Sequence, residues 1–465
     1  MKILINQILT HKEAAALPSL LESGGLPALI SGLSPVHRAN LAAALKNKLG
    51  LPLFVVCPDD TAAESMARDL GSMLGKETQT LLMRDFIFYP AEAVSRQAEQ
   101  KRIAALYRLA KGEGEITVAS VSALMQRTLP KETLLRSAFT ITDAGTCPPE
   151  DVEDALLRCG YARCEQVEGP GQFARRGGIL DFFSPGDPEP IRIEFWGDEV
   201  DSMSFFDVQT QRRTEPVKAC TILPAEEALA GLSAGGPAAL AREIERFADN
   251  YQKRRKTELA ATLAANLRSD AEKLSNGVTL PDLDRYLPIL YPEASALDYI
   301  PEGAFAFLDQ PGRCAERARD FEKQLGEDVN ELQKRGMVAM SAEGFRVSAE
   351  KLFKTLADYP LYMAEAFTVG RSPVPPKTLT SIAAKQLPSY AGSAQTAAED
   401  VTAYLKQDYR VVVLAADERR AGVLQDFFKD RGIPALVYQE LKSCPPRAPA
   451  PSSSGRCPRD TSTRG

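Results

Sequence analysis

A glycine-containing turn between a predicted strand and a predicted helix is the first place where this sequence could bind a phosphate. The strand PALIS at 27–31 runs into GLSPVHRA at 32–39, and glycine at such a turn lets backbone N–H groups and a helix N-terminus approach a phosphate. A working GxxxxGK[ST] loop needs a second Gly, a Lys and a hydroxyl, but His37, Arg38 and Ala39 stand at those positions. Without the hydroxyl, no side chain is available to bind Mg²⁺. We therefore interpret the segment that begins at Gly32 as a structural turn.

The segment FAFLDQ at 305–310 is a second candidate, because an apolar strand that ends in a carboxylate is typical of a metal-coordinating Walker B strand. Asp309 is present, but Gln310 stands where a motor protein has Glu to activate water, and an amide cannot accept that proton. Only two histidines, His11 and His37, and eight scattered cysteines occur in the chain. A His-based metal site or catalytic triad is therefore not expected, and we predict no catalytic and no metal-binding residue.

The strand IRIEFW at 191–196 contains residue types that anchor protein interfaces. Its alternation places apolar side chains on one face and Arg192, Glu194 and Trp196 on the other. Exposed Arg and Trp on one rigid strand are typical of a protein-binding surface. Alternatively, Trp196, which is the chain's only Trp, covers the sheet edge and Arg192 pairs with Glu194 or Asp181. The pattern alone does not choose between these two interpretations.

The elements that must position these residues alternate through a predicted first domain at 1–150. Runs typical of strands lie at 27–31, 51–56, 115–121 and 139–143. Helical spacing of apolar residues occurs at 38–49 and at 61–74, where Asp59 or Asp60 can cap the helix. Strands separated by helices predict a parallel sheet that is covered on both faces.

The remaining chain divides into four further segments. Strands joined by tight turns predict a small α+β insert at 151–225, and helices around the strand at 305–309 predict the second half of the first domain at 226–345. A Pro-rich linker at 370–381, and a strand at 410–416 between two helices, indicate a small α/β domain within 346–441. The Pro- and Ser-rich segment 442–465 has too little apolar surface to fold, so we expect disorder. It begins abruptly after a strand-like run, as in a truncated or frame-altered chain.

Composition excludes several classes of protein. Lys and Arg total 56 and Asp and Glu total 62 in 465 residues, which gives a net charge of −6 and argues against non-specific coating of nucleic acid. The basic run KRRK at 253–256 is more typical of a solvated helix face than of a binding patch. No secretory signal or apolar run long enough to span a membrane is present, so we expect a cytoplasmic protein without a membrane partner.

The insert carries a resemblance to a known family. Its segment FARRGGILDFFSPGDPEPIRIEFWGDEVDSMSFFDVQTQRR at 173–213 resembles the domain shared by the excision-repair protein UvrB and the transcription-repair coupling factor (Mfd) family. The resemblance extends over about residues 20–440. The segments YPAEAVSRQAEQKRIAALYRL at 89–109 and LDYIPEGAFAFLDQPGRCAERA at 297–318 look like the two halves of the module that surrounds this domain.

The resemblance implies a fold and explains the two defective motifs. UvrB keeps a working phosphate loop, a DE-type Walker B strand and a long aromatic hairpin, and this chain lacks all three. It therefore resembles the coupling factors, with a degenerate P-loop helicase-like parallel sheet, an α+β insert of the UvrB interaction type and a further small α/β domain. The degenerate Walker A motif is then formed by Gly32, His37, Arg38 and Ala39, and the degenerate Walker B motif by Asp309 and Gln310.

The resemblance also implies a function. In the family the insert binds UvrA, and by position the contact residues are Arg176, Arg192 and Trp196, the last standing where the family usually has Phe. The full family protein uses ATP and Mg²⁺ to translocate on double-stranded DNA and to release RNA polymerase stalled at lesions, with motor domains that these 465 residues lack. We expect a non-catalytic chain without a cofactor that docks UvrA in transcription-coupled nucleotide excision repair. The alternative is a UvrB-like ATPase that acts on damaged DNA.

Overall fold

The computed structural model describes residues 2–89, 95–143, 145–367, 372–384, 387, 388, 390 and 392–439. The predicted disordered segment 442–465 lies outside these residues. Fifteen strands are assigned among the described residues: β1 Ala28–Ser31, β2 Leu53–Cys57, β3 Gln79–Leu81, β4 Ile116–Ser120, β5 Phe139–Thr142, β6 Ala162–Arg163, β7 Gln172–Arg176, β8 Ile179–Phe182, β9 Ile191–Trp196, β10 Glu199–Phe206, β11 Arg213–Pro216, β12 Ala219–Ile222, β13 Phe305–Asp309, β14 Leu361–Ala364 and β15 Thr378–Ser381.

Fifteen α-helices accompany these strands in the same part of the chain: α1 Lys2–Asn6, α2 Leu20–Ser23, α3 Pro35–Leu49, α4 Asp60–Leu74, α5 Gln97–Ala110, α6 Val121–Met125, α7 Lys131–Ser137, α8 Pro149–Arg158, α9 Gly236–Arg254, α10 Glu258–Ser275, α11 Leu287–Leu290, α12 Pro311–Lys334, α13 Ala349–Ala357, α14 Ala394–Lys406 and α15 Glu418–Lys429. Asp59 caps α4, as predicted, because its side chain accepts a hydrogen bond of 3.0 Å from Ala62 N.

None of these helices is long and apolar enough to cross a membrane.

The large sheet confirms the predicted parallel α/β architecture. Its seven strands lie in the order β15-β1-β14-β13-β2-β4-β3, and every pairing is parallel. Phe54 and Val56 of β2 face one hydrophobic core, and Val55 faces the other. Helices cover both cores, so the central strands are buried on both faces. The carboxyl ends of β1 and β13 lie on one edge of this sheet with β14 between them, and this position brings the turn at Gly32 close to Asp309.

The large sheet extends past residue 345, where the sequence places the end of the first module. β14 inserts between β1 and β13, and β15 pairs with β1 at the sheet edge. The predicted linker at 370–381 therefore contains an edge strand, since Ala28 pairs with Thr378 and Ser31 with Ser381. The division at residue 346 differs from the structure because β14 pairs with β13 and with the distant β1, and β15 pairs with β1.

The insert is a separate, largely antiparallel sheet of six strands in the order β11-β10-β9-β8-β7-β6, with β6 and β7 parallel. Helix α8 packs through Val152 and Leu156 against Ile191 and Ile193 on one face of this sheet. The expectation that 139–143 joins the parallel sheet is wrong, because β5 pairs with β12 in a two-stranded antiparallel sheet. Ile141 of β5 is buried in the insert's core, which explains this pairing.

A buried cluster of charges joins the end of the insert to the main module. Arg84 makes two hydrogen bonds of 2.7 Å to Asp284, and its Nε lies 3.2 Å from Glu227 Oε1. Arg102 Nε lies 2.9 Å from the same oxygen. The backbone N–H of Glu227 donates to Glu99 Oε1 at 2.7 Å. The chain therefore leaves the insert through a point that is fixed by ion pairs from several elements of the module.

The predicted small α/β domain within 346–441 contains two of its three predicted elements, the two helices. α14 and α15 form where helices were predicted at 397–406 and 418–430, and they pack through a small cluster that includes Leu405, Phe428 and Ile433. The predicted strand at 410–416 is wrong in the structure, which assigns no strand there. Among the described residues no neighbouring strand forms a ladder with this segment, so its apolar side chains are largely exposed.

Candidate protein-binding surface and remnant nucleotide site

Strand β9 has one buried face and one accessible face, as its alternation predicts. Ile191 and Ile193 are buried in the insert's core, whereas Arg192 and Glu194 are partly exposed and Trp196 is exposed. Directly paired residues of neighbouring strands point to the same side of a sheet. The pairing register therefore identifies which side chains of β7, β8 and β10 share the accessible face with β9.

Trp196 lies at the end of this face, where β9 turns into β10. A two-residue turn, Gly197–Asp198, joins the two strands, and Gly197 adopts a φ of +61° that favours glycine. Trp196 pairs with Glu199 across the turn, and the indole is 82% exposed. Of the two interpretations of Trp196 offered by the sequence, the structure agrees with the exposed one.

Arg176 belongs to a row of side chains that crosses the accessible face beside Trp196. The register pairs Arg176 with Ile179, and Ile179 with Glu194. Arg176 is exposed and its guanidinium donates a hydrogen bond to the carbonyl oxygen of Glu165, while Ile179 is 37% exposed. Glu194 forms an ion pair with Arg213. Sequence reasoning missed Ile179, whose face depends on the register between β7, β8 and β9.

Arg192 is held within the sheet rather than presented to solvent. Its Nε and Nη2 donate to the two carboxylate oxygens of Asp181 at 2.7 and 2.8 Å, and its Nη1 donates to the carbonyl oxygen of Gln211 at 3.2 Å. The guanidinium carbon lies 4.7 Å from the centre of the Phe206 ring. These hydrogen bonds raise the pKa of Arg192. The Arg192 side chain is only 16% exposed. The structure therefore agrees with the interpretation in which Arg192 pairs with Asp181, and not with the one in which Arg192 is exposed.

The turn after β1 does not have the shape of a phosphate-binding loop. Helix α3 already begins at Pro35, so only Gly32, Leu33 and Ser34 lie between strand and helix. Ser34 Oγ and His37 Nδ1 share a hydrogen bond of 2.7 Å, and burial lowers the pKa of His37. A loop wide enough to surround a phosphate would need the residues from Pro35 onward to be non-helical, but in this structure they form the first turn of α3.

Arg38 and Asp309, one from each degenerate motif, contact each other at the carboxyl edge of the large sheet. Arg38 Nε donates to Asp309 Oδ1, and Arg38 Nη1 donates to the carbonyl oxygen of Leu33 at 3.0 Å. Both side chains are almost completely buried. Burial raises the pKa of Asp309, and the Arg38 guanidinium opposes that rise. A metal ion at Asp309 would have to compete with this guanidinium.

Gln310 and Glu365 complete the edge around this pair. Gln310 has a φ of +55°, and its backbone N–H donates to the carbonyl oxygen of Ala364 at 2.8 Å. Glu365 accepts a hydrogen bond of 2.9 Å from Gly312 N in the first turn of α12. The N-terminus of α12 is therefore already bound to a carboxylate of this chain. Ala39 is buried in the core below α3, so it contributes packing only.

The comparisons with known proteins agree with this geometry. A family model for the UvrB interaction domain matches residues 139–227, from the start of β5 to Glu227 in the buried charge cluster. The chain is 28% identical over 425 residues to the transcription-repair-coupling factor of Bacillus subtilis, an alignment that covers 89% of this chain and 35% of that protein. The coupling factor of Myxococcus xanthus is 32% identical over 206 residues, or 43% of this chain and 17% of that protein.

A third relative gives the same result: the coupling factor of Escherichia coli is 28% identical over 199 residues, 43% of this chain and 17% of that protein. The aligned part spans about a third of the length of the Bacillus subtilis relative. Over most of its length the chain is therefore similar to the transcription-repair-coupling factors, and it contains a UvrB interaction domain.

Proposed function

We propose that this chain acts in transcription-coupled DNA repair by binding UvrA through the accessible face of its insert. The observation that carries the proposal is the 82% exposed Trp196 on a rigid strand, next to the row that contains Arg176 and Ile179. A large aromatic ring beside a guanidinium and an aliphatic side chain is the composition that anchors protein interfaces. The match to the UvrB interaction domain supports UvrA as the partner, and the names of the relatives support a role in transcription-repair coupling.

Within this proposal the two arginines have different roles. Arg176 and Trp196 contact the partner directly, and Ile179 fills the space between them. Arg192 acts as a positioning residue, since its bonds to Asp181 connect β8 to β9 below the contact surface. Glu194 is paired with Arg213, whereas Glu199, opposite Trp196, is exposed, so the face offers the partner one carboxylate beside its apolar and cationic contacts.

The role in the cell would be recruitment of excision repair to stalled RNA polymerase. Polymerase binding and ATP-driven translocation on double-stranded DNA would then belong to the parts of the relatives that lie outside the aligned third. The UvrB-like ATPase is less well supported. The short turn at Gly32, the Arg38–Asp309 pair and the occupied N-terminus of α12 leave phosphate and metal without their usual ligands.

Calorimetric titration of UvrA into the chain and its variants tests the proposal. We expect Trp196→Ala to weaken binding by about thirtyfold, the loss of roughly 2 kcal/mol typical of a buried aromatic anchor. Ile179→Ala should weaken it less. Val278→Ala is a matched control, because Val278 is 51% exposed but lies outside the insert. Equal affinity of the Trp196 and Val278 variants for UvrA would contradict the proposal.

A further inference from the structure

Helices α9 and α10 form a hairpin whose base is buried and whose tip projects into solvent. The two helices contact each other along their length and contribute to the main core through residues as far as Ala248 in α9 and from Leu263 in α10. Between these positions the chain reverses direction, and the residues 253–259 are all exposed. The tip is therefore held rigidly by the core without being part of it.

Four consecutive cations lie at this tip: Lys253, Arg254, Arg255 and Lys256. Among the described residues, none of them forms an ion pair with a carboxylate, whereas Arg268 of the same hairpin pairs with Asp249 at 2.7 Å. The helix dipole favours Lys253 and Arg254 in the last turn of α9. The dipole does not account for the next two cations, which lie beyond the helix.

A second basic segment adjoins the first. Leu259, three residues beyond the cations, lies against Gly336, since a methyl group built on Gly336 would be 3.7 Å from Leu259 Cδ1. Asn266 Nδ2 also donates to the carbonyl oxygen of Gly336 at 3.2 Å. The two residues before Gly336 are Lys334 and Arg335, which share Glu331 as their only carboxylate partner among the described residues.

These six cations, 253–256 with Lys334 and Arg335, are here named the basic tip. The acidic side chains near it include Glu258, Glu331 and Asp249, the last of which pairs with Arg268. The tip therefore carries a local positive charge on a chain whose net charge is −6. A potential of this kind attracts a polyanion to one place, while the rest of the surface repels it.

We propose that the basic tip binds the phosphodiester backbone of a nucleic acid without reading its sequence. Guanidinium groups form bidentate hydrogen bonds to phosphate oxygens, and the lysines add point charges. The four consecutive cations are all exposed, with no acidic or apolar residue between them in the chain. An uninterrupted run of cations favours a regularly charged backbone over a folded acidic protein, whose recognition usually includes an apolar anchor.

Fluorescence anisotropy of a short labelled DNA duplex of random sequence, mixed with the full chain, tests this proposal. Measured from about 25 to 200 mM KCl, the logarithm of the binding constant should fall with the logarithm of salt with a slope of about −3 to −4, as for four phosphate contacts. The variant K253A/R254A/R255A/K256A should bind at least about tenfold more weakly at the low-salt end and lose most of that slope. Thermal unfolding of this variant should match the unmodified chain, because the replaced side chains are exposed.

The matched control is K12A/K101A/K111A/K354A, which removes the same charge from exposed lysines far along the chain from the tip. We expect this control to bind the duplex nearly as well as the unmodified chain. Equal losses in the two variants would overturn the proposal, since binding would then follow net charge alone. Displacement of the duplex by poly-glutamate of the same total charge, at the same concentration, would overturn it in favour of an acidic protein. Absence of binding at the lowest salt would also overturn it.

Discussion

Arg38 and Asp309 are 271 residues apart in the sequence and form a buried ion pair at the carboxyl edge of the large sheet. In a nucleotide-binding relative of this fold, these two positions would hold a phosphate-binding lysine and a metal-binding aspartate. Here the cation of one motif contacts the anion of the other directly. The pair therefore joins α3 to the end of β13 by a contact that the chain makes without a ligand.

Removal of one partner should be costly. Arg38→Ala leaves Asp309 buried without a counter-charge, and we expect the free energy of unfolding to fall by about 3 kcal/mol or more, measured by urea unfolding. The double variant R38A/D309A should lose less than the sum of the two single variants. Arg313→Ala is the control, because its pair with Asp59 is largely exposed and should contribute less than about 1 kcal/mol. Similar losses for Arg38→Ala and Arg313→Ala would contradict this account of the pair.

The turn at Gly32 should not accept a side chain. Gly32 has a φ of +88°, and a methyl group there would be 2.2 Å from the carbonyl oxygen of Ile382, which follows β15. Gly32→Ala should therefore displace this edge of the sheet as well as strain the backbone. Gly24→Ala is the matched control, with a φ of +71° and no atom within 4 Å of the added methyl. We expect about 1 kcal/mol for the control and a clearly larger loss for Gly32→Ala by thermal unfolding, and equal losses would refute the steric argument.

Substitution of Arg192 should lower the stability of the insert, and any loss of UvrA affinity should follow from that loss of stability. Arg192→Ala leaves the 3% exposed Asp181 carboxylate unpaired, so we expect a loss of roughly 3 kcal/mol in the unfolding free energy of the insert. Trp196→Ala removes only exposed surface and should leave stability within about 0.5 kcal/mol of the unmodified chain. Chemical unfolding followed by circular dichroism separates these effects from affinity. An Arg192→Ala variant of full stability and reduced UvrA affinity would instead make Arg192 a direct contact residue.

The junction between insert and module should weaken as pH rises. Burial raises the pKa of Glu226 to about 8, although Arg96 at 3.1 Å opposes the shift. The folded chain therefore keeps a proton that the unfolded chain releases near its ordinary pKa of about 4.3. The corresponding stability is complete below that unfolded value and is lost as pH rises towards 8.

Glu226→Gln cannot lose this proton, so its unfolding free energy should decline less than that of the unmodified chain between about pH 5 and 8. Urea unfolding at several pH values measures the difference. Glu243→Gln serves as a control, because Glu243 is exposed on α9 and paired only with Arg246. Parallel pH profiles for the unmodified chain and Glu226→Gln would show that Glu226 does not hold a proton in the folded state.

Local patterns in the sequence predict the elements of the fold better than their pairing. The apolar runs that become β2 and β13 are recognisable because both strands are buried on both faces. β14 is missed although it is as short as β1, because its burial on both faces depends on its place between β1 and β13. The run at 139–143 is a strand as predicted, but its partner is β12 of the insert, and nothing local in either segment specifies that partner.

The same limit applies to the candidate surface. The period-2 alternation of β9 is local and places Trp196 on the face away from the core, but its exposure is only one of the two interpretations that the pattern leaves open. The bond between Arg192 and Asp181 depends on the register between β8 and β9, and the sequence could therefore offer it only as one of two interpretations. Likewise, each of the two motifs that contain Arg38 and Asp309 is recognisably defective alone, but their contact is a property of the sheet order.

Titration of UvrA into the chain, followed by the fluorescence of Trp196, tests the central claim most directly. Trp196 is the only tryptophan in 465 residues, so the part of the tryptophan signal that Trp196→Phe abolishes comes from the candidate surface. We expect a saturable change with UvrA and no change when ATP and Mg²⁺ are added to the chain alone. A response to ATP with none to UvrA would contradict the account and would support the UvrB-like ATPase.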